Sequence, residues 1–178
     1  MEIQKGRVFI MNSLGEVNML RLEKIHGQNV WDILRLRVAE NQRHFVASNE
    51  TSIIEAYTTI VGNGHAFPFG IYEDDIPVGF LMIGFGTDEY WEDAPSVAID
   101  NYNIWRLMID EKYQNKGYGR KAVKLALDFI HTFPCGQAEY CWLSYEPENE
   151  IACRLYHSFG FEETGEMDGN EVIATLKL

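Results

Sequence analysis

The residues whose types and spacing best suit chemistry lie in one stretch, Arg106-Leu107-Met108-Ile109-Asp110-Glu111-Lys112-Tyr113-Gln114-Asn115-Lys116-Gly117-Tyr118-Gly119-Arg120-Lys121. An apolar run ends, a polar loop follows, two glycines appear, and an amphipathic segment begins. Glycine removes the side chain where backbone must approach a ligand, and the first turn of a helix leaves N–H groups without partners. Together with the helix dipole these features favour an anion such as phosphate or pyrophosphate, and Lys116, Arg120 and Lys121 add positive charge. A tight strand–helix turn would use the same glycines. Gly117, Gly119 and Ala122 also fit G-x-G-x-x-G/A, with Glu146 after the next strand. The dinucleotide fold, however, puts its glycines directly after the strand, and here seven residues separate Ile109 from Gly117. No GxxxxGK(S/T) loop is present.

Charge is laid out unevenly. No Lys or Arg falls between Arg43 and Arg106, while Glu50, Glu55, Glu73, Asp74, Asp75, Asp88, Glu89, Glu92, Asp93 and Asp100 do. Lys112, Lys116, Arg120, Lys121 and Lys124 crowd into one short stretch. One part of the chain therefore suits a cation and another an anion, although solvated surface faces would give the same pattern. The net charge of −12 disfavours nucleic acid and anionic membranes, which select basic faces.

These residues must be carried by definite elements. Residues 1–16 read as an extension, with the apolar run Val8-Phe9-Ile10-Met11, and the main domain spans 17–178. Alternation predicts a strand over Val17–Ile25; helical spacing of Val30, Ile33, Leu34 and Val38 predicts a helix over Asn29–Glu40. A second helix, Ser52–Ile60, has Ile53, Ile54, Tyr57 and Ile60 on one side and stops at Gly62-Asn63-Gly64. Phe67–Tyr72 and Val78–Phe85 form a hairpin across Glu73-Asp74-Asp75. A strand over Asn101–Ile109 precedes a helix over Gly119–Phe133, whose apolar face holds Ala122, Ala126, Phe129, Ile130 and Phe133 and which Pro134 closes. Glu139–Tyr145 is a further strand, Asn149 caps a short helix ending at Gly160, and Phe161–Glu166 with Glu171–Leu178 makes a last hairpin across Asp168-Gly169. The order β-α-α-β-β-β-α-β-α-β-β is α+β or mixed α/β, with one crossover helix between two strands that can pair in parallel.

The length, 178 residues, fits one domain of about 150 with a substantial core. The 46% hydrophobic and 24% charged content reads as a soluble globule. No apolar run approaches the ~18 residues of a membrane helix, and Met1–Lys5 shows no signal peptide. Cys135, Cys141 and Cys153 lack CxxC spacing, which indicates reduced thiols in a cytoplasm and no metal site. His26, His44, His65, His131 and His157 show no ligand spacing, and Cys153 reads as a packing residue.

Two motifs together carry a resemblance. Gln114-Asn115-Lys116-Gly117-Tyr118-Gly119 is similar to the Q/R-x-x-G-x-G/A acetyl-CoA loop of the GNAT superfamily of N-acetyltransferases. Asn149, Ala152, Leu155-Tyr156 and Gly160-Phe161 match that family's N-x-x-A-x-x-L-Y-x-x-x-G-F segment, about 30 residues downstream. The resemblance covers roughly 17–178, and within the family the pattern looks most like bacterial spermine/spermidine acetyltransferases. It implies one domain with a mixed, mostly antiparallel central sheet split into a V and flanked by helices. It further implies that backbone groups of Leu107, Met108 and Ile109 bond the pantetheine arm of acetyl-CoA. The loop Gln114, Asn115, Lys116, Gly117, Tyr118, Gly119 with Arg120 would hold the pyrophosphate. Asn149 matches the position that contacts the cofactor arm, besides being explained as a helix cap. Tyr156 matches the residue whose hydroxyl faces the CoA sulfur, and a phenol can give a departing thiolate its proton.

The acceptor is then an amine, which attacks only in its neutral form, so a group must accept a proton. The acidic region offers Glu40, Glu55, Glu89 and Glu92, the last two in Asp88-Glu89-Tyr90-Trp91-Glu92-Asp93, where aromatics interleaved with carboxylates suit an alkylammonium. The expectation is a cytoplasmic, metal-free N-acetyltransferase of a small amine, foremost a polyamine, assembled as a homodimer. An aminoglycoside, amino acid or protein amine is the alternative acceptor. A module that binds acetyl-CoA without catalysis is the alternative class, which a thiolate acid at Tyr156 argues against.

Overall fold

The computed structural model describes the backbone of residues 3–4 and 7–9 and the whole of residues 20–178. Among the described residues nine strands form one sheet in the order β1-β2-β3-β4-β5-β6-β7-β9-β8. The strands are β1 (Ile3–Gln4), β2 (Arg7–Phe9), β3 (Leu20–Lys24), β4 (His65–Glu73), β5 (Ile76–Phe85), β6 (Tyr102–Ile109), β7 (Tyr140–Tyr145), β8 (Glu162–Asp168) and β9 (Glu171–Lys177). The expected strand start at 17–19, and Ile10-Met11, lie outside the described residues. All neighbours are antiparallel except β6 and β7. Those two are joined by the crossover helix α3 (Tyr118–Ile130), the connection a parallel pair requires.

The β6–β7 pairing is brief. Tyr102 lies opposite Cys141 and Asn103 opposite Trp142, and the register goes no further. Beyond it the strands part, which produces the V. On its other side β6 stays paired with β5 as far as Gly79 opposite Ile109, with a bulge at Trp105; a bulge bends a strand and increases its twist.

The long apolar run of β5 is buried on both faces, as a central strand should be. Leu81 and Ile83 face the larger core with Phe69, Ile71 and Ala122, Val123, Leu125, Ala126 and Ile130 of α3. Phe80 and Met82 face the second core with Ile33, Ala56 and Met108. The alternation follows from the two-residue period of a strand. The hairpin between β4 and β5 closes through Asp74 at φ 52, and α3 ends before Pro134 as expected, with Phe133 at φ 49. The last hairpin pairs Asp168 with Glu171, so its turn is Gly169-Asn170, one residue later than expected.

Two helices differ from expectation. The helix predicted over 29–40 is only α1, Val30–Ile33, followed later by a 3-10 turn at Glu40–Gln42. Tertiary hydrogen bonds override the helical spacing: the Arg37 amide donates to Asp110 Oδ2 at 3.0 Å, and the Arg37 carbonyl accepts from the Glu111 amide at 2.8 Å. The second helix, α2, runs Asn49–Val61 with Ser48 as its cap. Its buried face is Asn49, Ser52 and Ala56, while Ile54, Tyr57 and Ile60 are exposed. Small residues let the helix approach closely, and Asn49 Nδ2 donates to the Ile33 carbonyl at 2.8 Å; of the expected apolar stripe only Ile53 packs inward, on the second core.

Asp110 thus ties the segment after α1 to the end of β6. Its carboxylate, 5% exposed, also accepts from the Lys112 amide at 3.1 Å. Asp110→Ala leaves two amides unpaired and is expected to lower unfolding stability by about 2 kcal/mol, seen in urea unfolding as a lower midpoint with unchanged slope. A loss below about 0.5 kcal/mol would show that other contacts hold this segment.

Candidate active site

A cleft of about 860 Å³ opens where β6 and β7 part. Ile104 to Ile109 form one wall and Trp142 to Glu146 the other, with Asn149 and, from the helix α4 (Glu150–His157), Leu155 and Tyr156 beside them. Of the site residues expected from sequence, it brings together Leu107, Met108, Ile109, Gln114, Asn115, Gly117, Tyr118, Gly119, Arg120, Asn149 and Tyr156.

The loop before α3 is shaped by two left-handed residues, Asn115 at φ 61 and Gly117 at φ 78. Gly117 is the N-cap of α3, and its carbonyl accepts from the Lys121 amide at 3.2 Å. The amides of Gln114 to Arg120 find no acceptor among the described residues. A row of free N–H groups at a helix N-terminus is a built anion site, and it fits a pyrophosphate. Arg120 adds a fixed cation: its Nη1 donates to Ser158 Oγ at 2.6 Å, and the guanidinium sits 4.8 Å from the centre of the Phe159 ring. Lys116 does not line the cleft; its ammonium lies 5.2 Å from the Tyr113 ring centre.

Two loop side chains serve the scaffold instead. Gln114 Nε2 donates to Gln42 Oε1 at 2.7 Å and to the Ile109 carbonyl at 3.0 Å. That occupies one of the two lone pairs of the Ile109 carbonyl. The Tyr118 phenol turns inward to Glu73, whose carboxylate, with burial, pushes its pKa up to about 12. Past Asn103, peptide groups on the edge of β6 that faces β7 have no strand partner among the described residues; the Asp110 amide donates to Val78 of β5, so by alternation Met108 also faces β5 while Leu107 and Ile109 face the gap.

Asn149 Oδ1 accepts from the Ala152 amide at 3.2 Å and so caps α4. Tyr156, 9% exposed, is wedged between the Tyr145 and Phe161 rings, 5.8 and 5.9 Å away. Its hydroxyl has no hydrogen-bond partner among the described residues. Burial first, and then the negative charge of Glu171, push the phenol pKa well above its usual value. The group therefore keeps its proton at neutral pH.

The carboxylates proposed from sequence are placed elsewhere. Glu40 is exposed on its 3-10 turn with Arg43 at 4.0 Å, Glu55 is ion-paired to Arg106 at 3.1 Å, and Glu89 accepts from Asn63 Nδ2 at 2.7 Å. Glu92 is exposed in its loop. None of the four lines the cleft; their charge is met by local partners or by water. Trp91 of the same segment does line it, 6.3 Å from the Trp142 ring. The carboxylates that line the cleft are Glu146, Asp168 and Glu171, and the Ser144 hydroxyl donates to Glu171. Glu171 belongs to no motif; only the pairing of β9 with β7 brings it beside Ser144.

Fold and site together define an acyl-CoA-using transferase. The acetyltransferase (GNAT) family model matches residues 31–161, and the chain belongs to that family. The chain is 32% identical over 154 residues to the spermine/spermidine N(1)-acetyltransferase of Bacillus subtilis, covering 85% of this chain and 93% of the relative. Among solved structures it resembles the aminoglycoside acetyltransferase AAC(6')-Ib in complex with coenzyme A, with a TM-score of 0.68 at 15% identity over 88% of this chain and 93% of that one. It also resembles the Vibrio cholerae spermidine N-acetyltransferase in complex with CoA and spermine, with a TM-score of 0.61 at 17% identity over 89% and 94%. The protein is an acetyl-CoA-dependent N-acetyltransferase. No helix among the described residues is long and apolar enough to cross a membrane.

A Cβ added at Gly117 meets nothing within 4 Å, and Gly117 lines the cleft. Gly117→Ala is expected to fold, at a cost of about 1–2 kcal/mol for the left-handed backbone. It should weaken acetyl-CoA binding at least about tenfold in calorimetry, which is roughly 1.4 kcal/mol. Unchanged affinity would place the pyrophosphate away from this loop.

Proposed function

We propose that the enzyme transfers the acetyl group to a primary amine of a polyamine of the spermine and spermidine class. The observation that carries this reading is that Tyr156 lines one cleft together with three carboxylates, Glu146, Asp168 and Glu171. Acetyl-CoA supplies the activated acyl carbon and a thiolate leaving group. Amides 114–120 and Arg120 hold the pyrophosphate, and the free edge of β6 at Leu107 and Ile109 aligns the arm along the V.

An alkylamine of pKa near 10.4 is mostly protonated at neutral pH. It gives one proton to solvent water before attack and loses a second as the amide forms. Glu171, oriented by the Ser144 hydroxyl, accepts the second. The nitrogen bonds to the acyl carbon, the carbon–sulfur bond breaks, and Tyr156 gives its proton to the sulfur. The phenolate then regains a proton from Glu171 or solvent. Glu146 and Asp168 offer charge to the remaining ammonium groups, while Trp91 and Trp142 offer ring faces. This reading includes a cytoplasmic location, supported by the three free cysteines. It also includes a homodimer, supported by the exposed Ile54, Tyr57 and Ile60 on α2.

The test is a CoA-release assay with spermine, spermidine, a monoamine, an aminoglycoside and a peptide amine. Polyamines should be the preferred acceptors, and preference for another class, or binding of acetyl-CoA without transfer, overturns the reading. Replacing Glu146 by Gln and Asp168 by Asn together should raise KM for spermine more than for the monoamine; an equal rise would remove these carboxylates from recognition.

Tyr156→Phe keeps the ring contacts and should lower turnover roughly 10²-fold with little change in acetyl-CoA affinity. Because the phenol pKa lies above its usual value of about 10, Tyr156 holds its proton throughout the range below that. Turnover should therefore rise with pH as the amine deprotonates and show no Tyr156-dependent decline before about pH 10. A decline below that pH that vanishes in Tyr156→Phe would contradict the shift.

A further inference from the structure

A second cluster of reactive side chains lies outside the cleft. Cys153 and His157 stand four residues apart on α4, and four-residue spacing puts two side chains on one helix face. Glu163 of β8 comes alongside, so that one donor atom from each of the three lies within 4.8 Å of the others. None of the three lines the acetyl-transfer cleft.

The geometry approaches that of a coordination site. Cys153 Sγ lies 3.3 Å from His157 Nδ1, near the roughly 3.5 Å edge that tetrahedral zinc sets between sulfur and nitrogen, given bonds of about 2.3 and 2.05 Å. Glu163 Oε1 accepts the Tyr145 hydroxyl at 2.8 Å, which leaves Oε2 for an ion. An outer hydrogen bond of this kind orients a ligating carboxylate. Cys153 is half-buried against the main core, whereas His157 and Glu163 are exposed. The cluster is walled on one side and open on the other.

We propose that Cys153, His157 and Glu163 bind a divalent transition-metal ion of the zinc class, with the fourth position left to water. Thiolate and imidazole together select such ions over magnesium and calcium, which take oxygen ligands. Binding converts the Cys153 thiol to a thiolate, so one proton leaves for solvent as the metal–sulfur bond forms. The thiolate and the Glu163 carboxylate then balance the two positive charges. His157 gives up its present Nδ1 contact with the Cys153 carbonyl, 2.9 Å, or swings Nε2 into place. Spacing alone hides the site, because the third ligand comes from the strand that follows the helix. The bound ion would clip α4 to β8 beside Tyr145, whose ring contacts Tyr156.

The test is a Co²⁺ titration of the tag-free full chain, followed by Zn²⁺ competition. The expected result is a tetrahedral cobalt spectrum with a sulfur-to-metal charge-transfer band that one equivalent of Zn²⁺ abolishes. Zn²⁺ should also raise the thermal midpoint, since a ligand of the folded state stabilises it. Cys153→Ser should lose the band, while Cys141 and Cys135 remain as internal controls. Glu163→Gln changes an exposed side chain, should fold, and should weaken cobalt binding at least tenfold while acetyl-CoA affinity stays as in the parent. Absence of a charge-transfer band, its persistence in Cys153→Ser, or undiminished affinity in Glu163→Gln would each overturn the proposal.

Discussion

The site depends on two adjacent strands being held together at one end only. At the closed end, Asn101 Oδ1 accepts the Glu139 and Tyr140 amides at 3.1 and 2.8 Å. The Tyr102 hydroxyl donates to the Gly136 carbonyl at 3.0 Å and accepts from the Cys135 amide at 2.9 Å. These bonds pin the segment after α3 to the start of β6 and fix where the parallel pair begins. At the open end the partners are used up elsewhere: β6 stays with β5, and β7 stays with β9 as far as Tyr145 opposite Val172. Each arm of the V is therefore backed by its own antiparallel ladder. Peptide groups that face the gap can be left unpaired without loss of the sheet, and they remain available to a ligand that carries amides.

The elements legible in the sequence are those whose local signals and tertiary roles agree. Alternation around Asp74-Asp75, the loop from Gln114 to Gly119 and the Asn149 cap each say locally what the fold uses globally. The segment after Ile33 was not legible in this way, because what stops the helix is Asp110, far along the chain. The face of α2 misleads for a related reason. Its apolar residues keep helical spacing, but Asn49, Ser52 and Ala56 form the buried face, where Asn49 hydrogen-bonds the Ile33 carbonyl of α1. The acidic region misleads through partnership: Glu55 answers Arg106, and Glu89 answers Asn63. Glu171 could be found only from the pairing of β9 with β7, and a single sequence contains no sign of that register.

Positive and negative groups are sorted along the cleft. Arg120 and the amide row stand at the N-terminus of α3, while Glu146, Asp168 and Glu171 gather beside β7, β8 and β9. An anionic nucleotide and a cationic amine are thereby drawn to different parts of one opening, and each part repels the other's ligand. The net charge of −12 favours the amine's approach at long range. The loop amides and Arg120 act at contact distance, where ionic screening over about 8 Å matters little.

The sign of the Tyr156 shift links the two proton steps of the proposed reaction. Burial raises the phenol pKa, and the Glu171 carboxylate raises it further because a phenolate would meet a second negative charge. Before attack, this pair of effects keeps the acid protonated. Once Glu171 has taken the amine's proton, its charge is gone, and its share of the shift goes with it. The phenol is then more acidic than it was in the resting site, at the moment the sulfur departs and needs a proton. A carboxylate at this position thus prepares the acid twice, first by holding its proton in place and then by easing its release. The neutral amide of Gln at position 171 would leave burial to hold the phenol's proton and could not change its charge during the reaction.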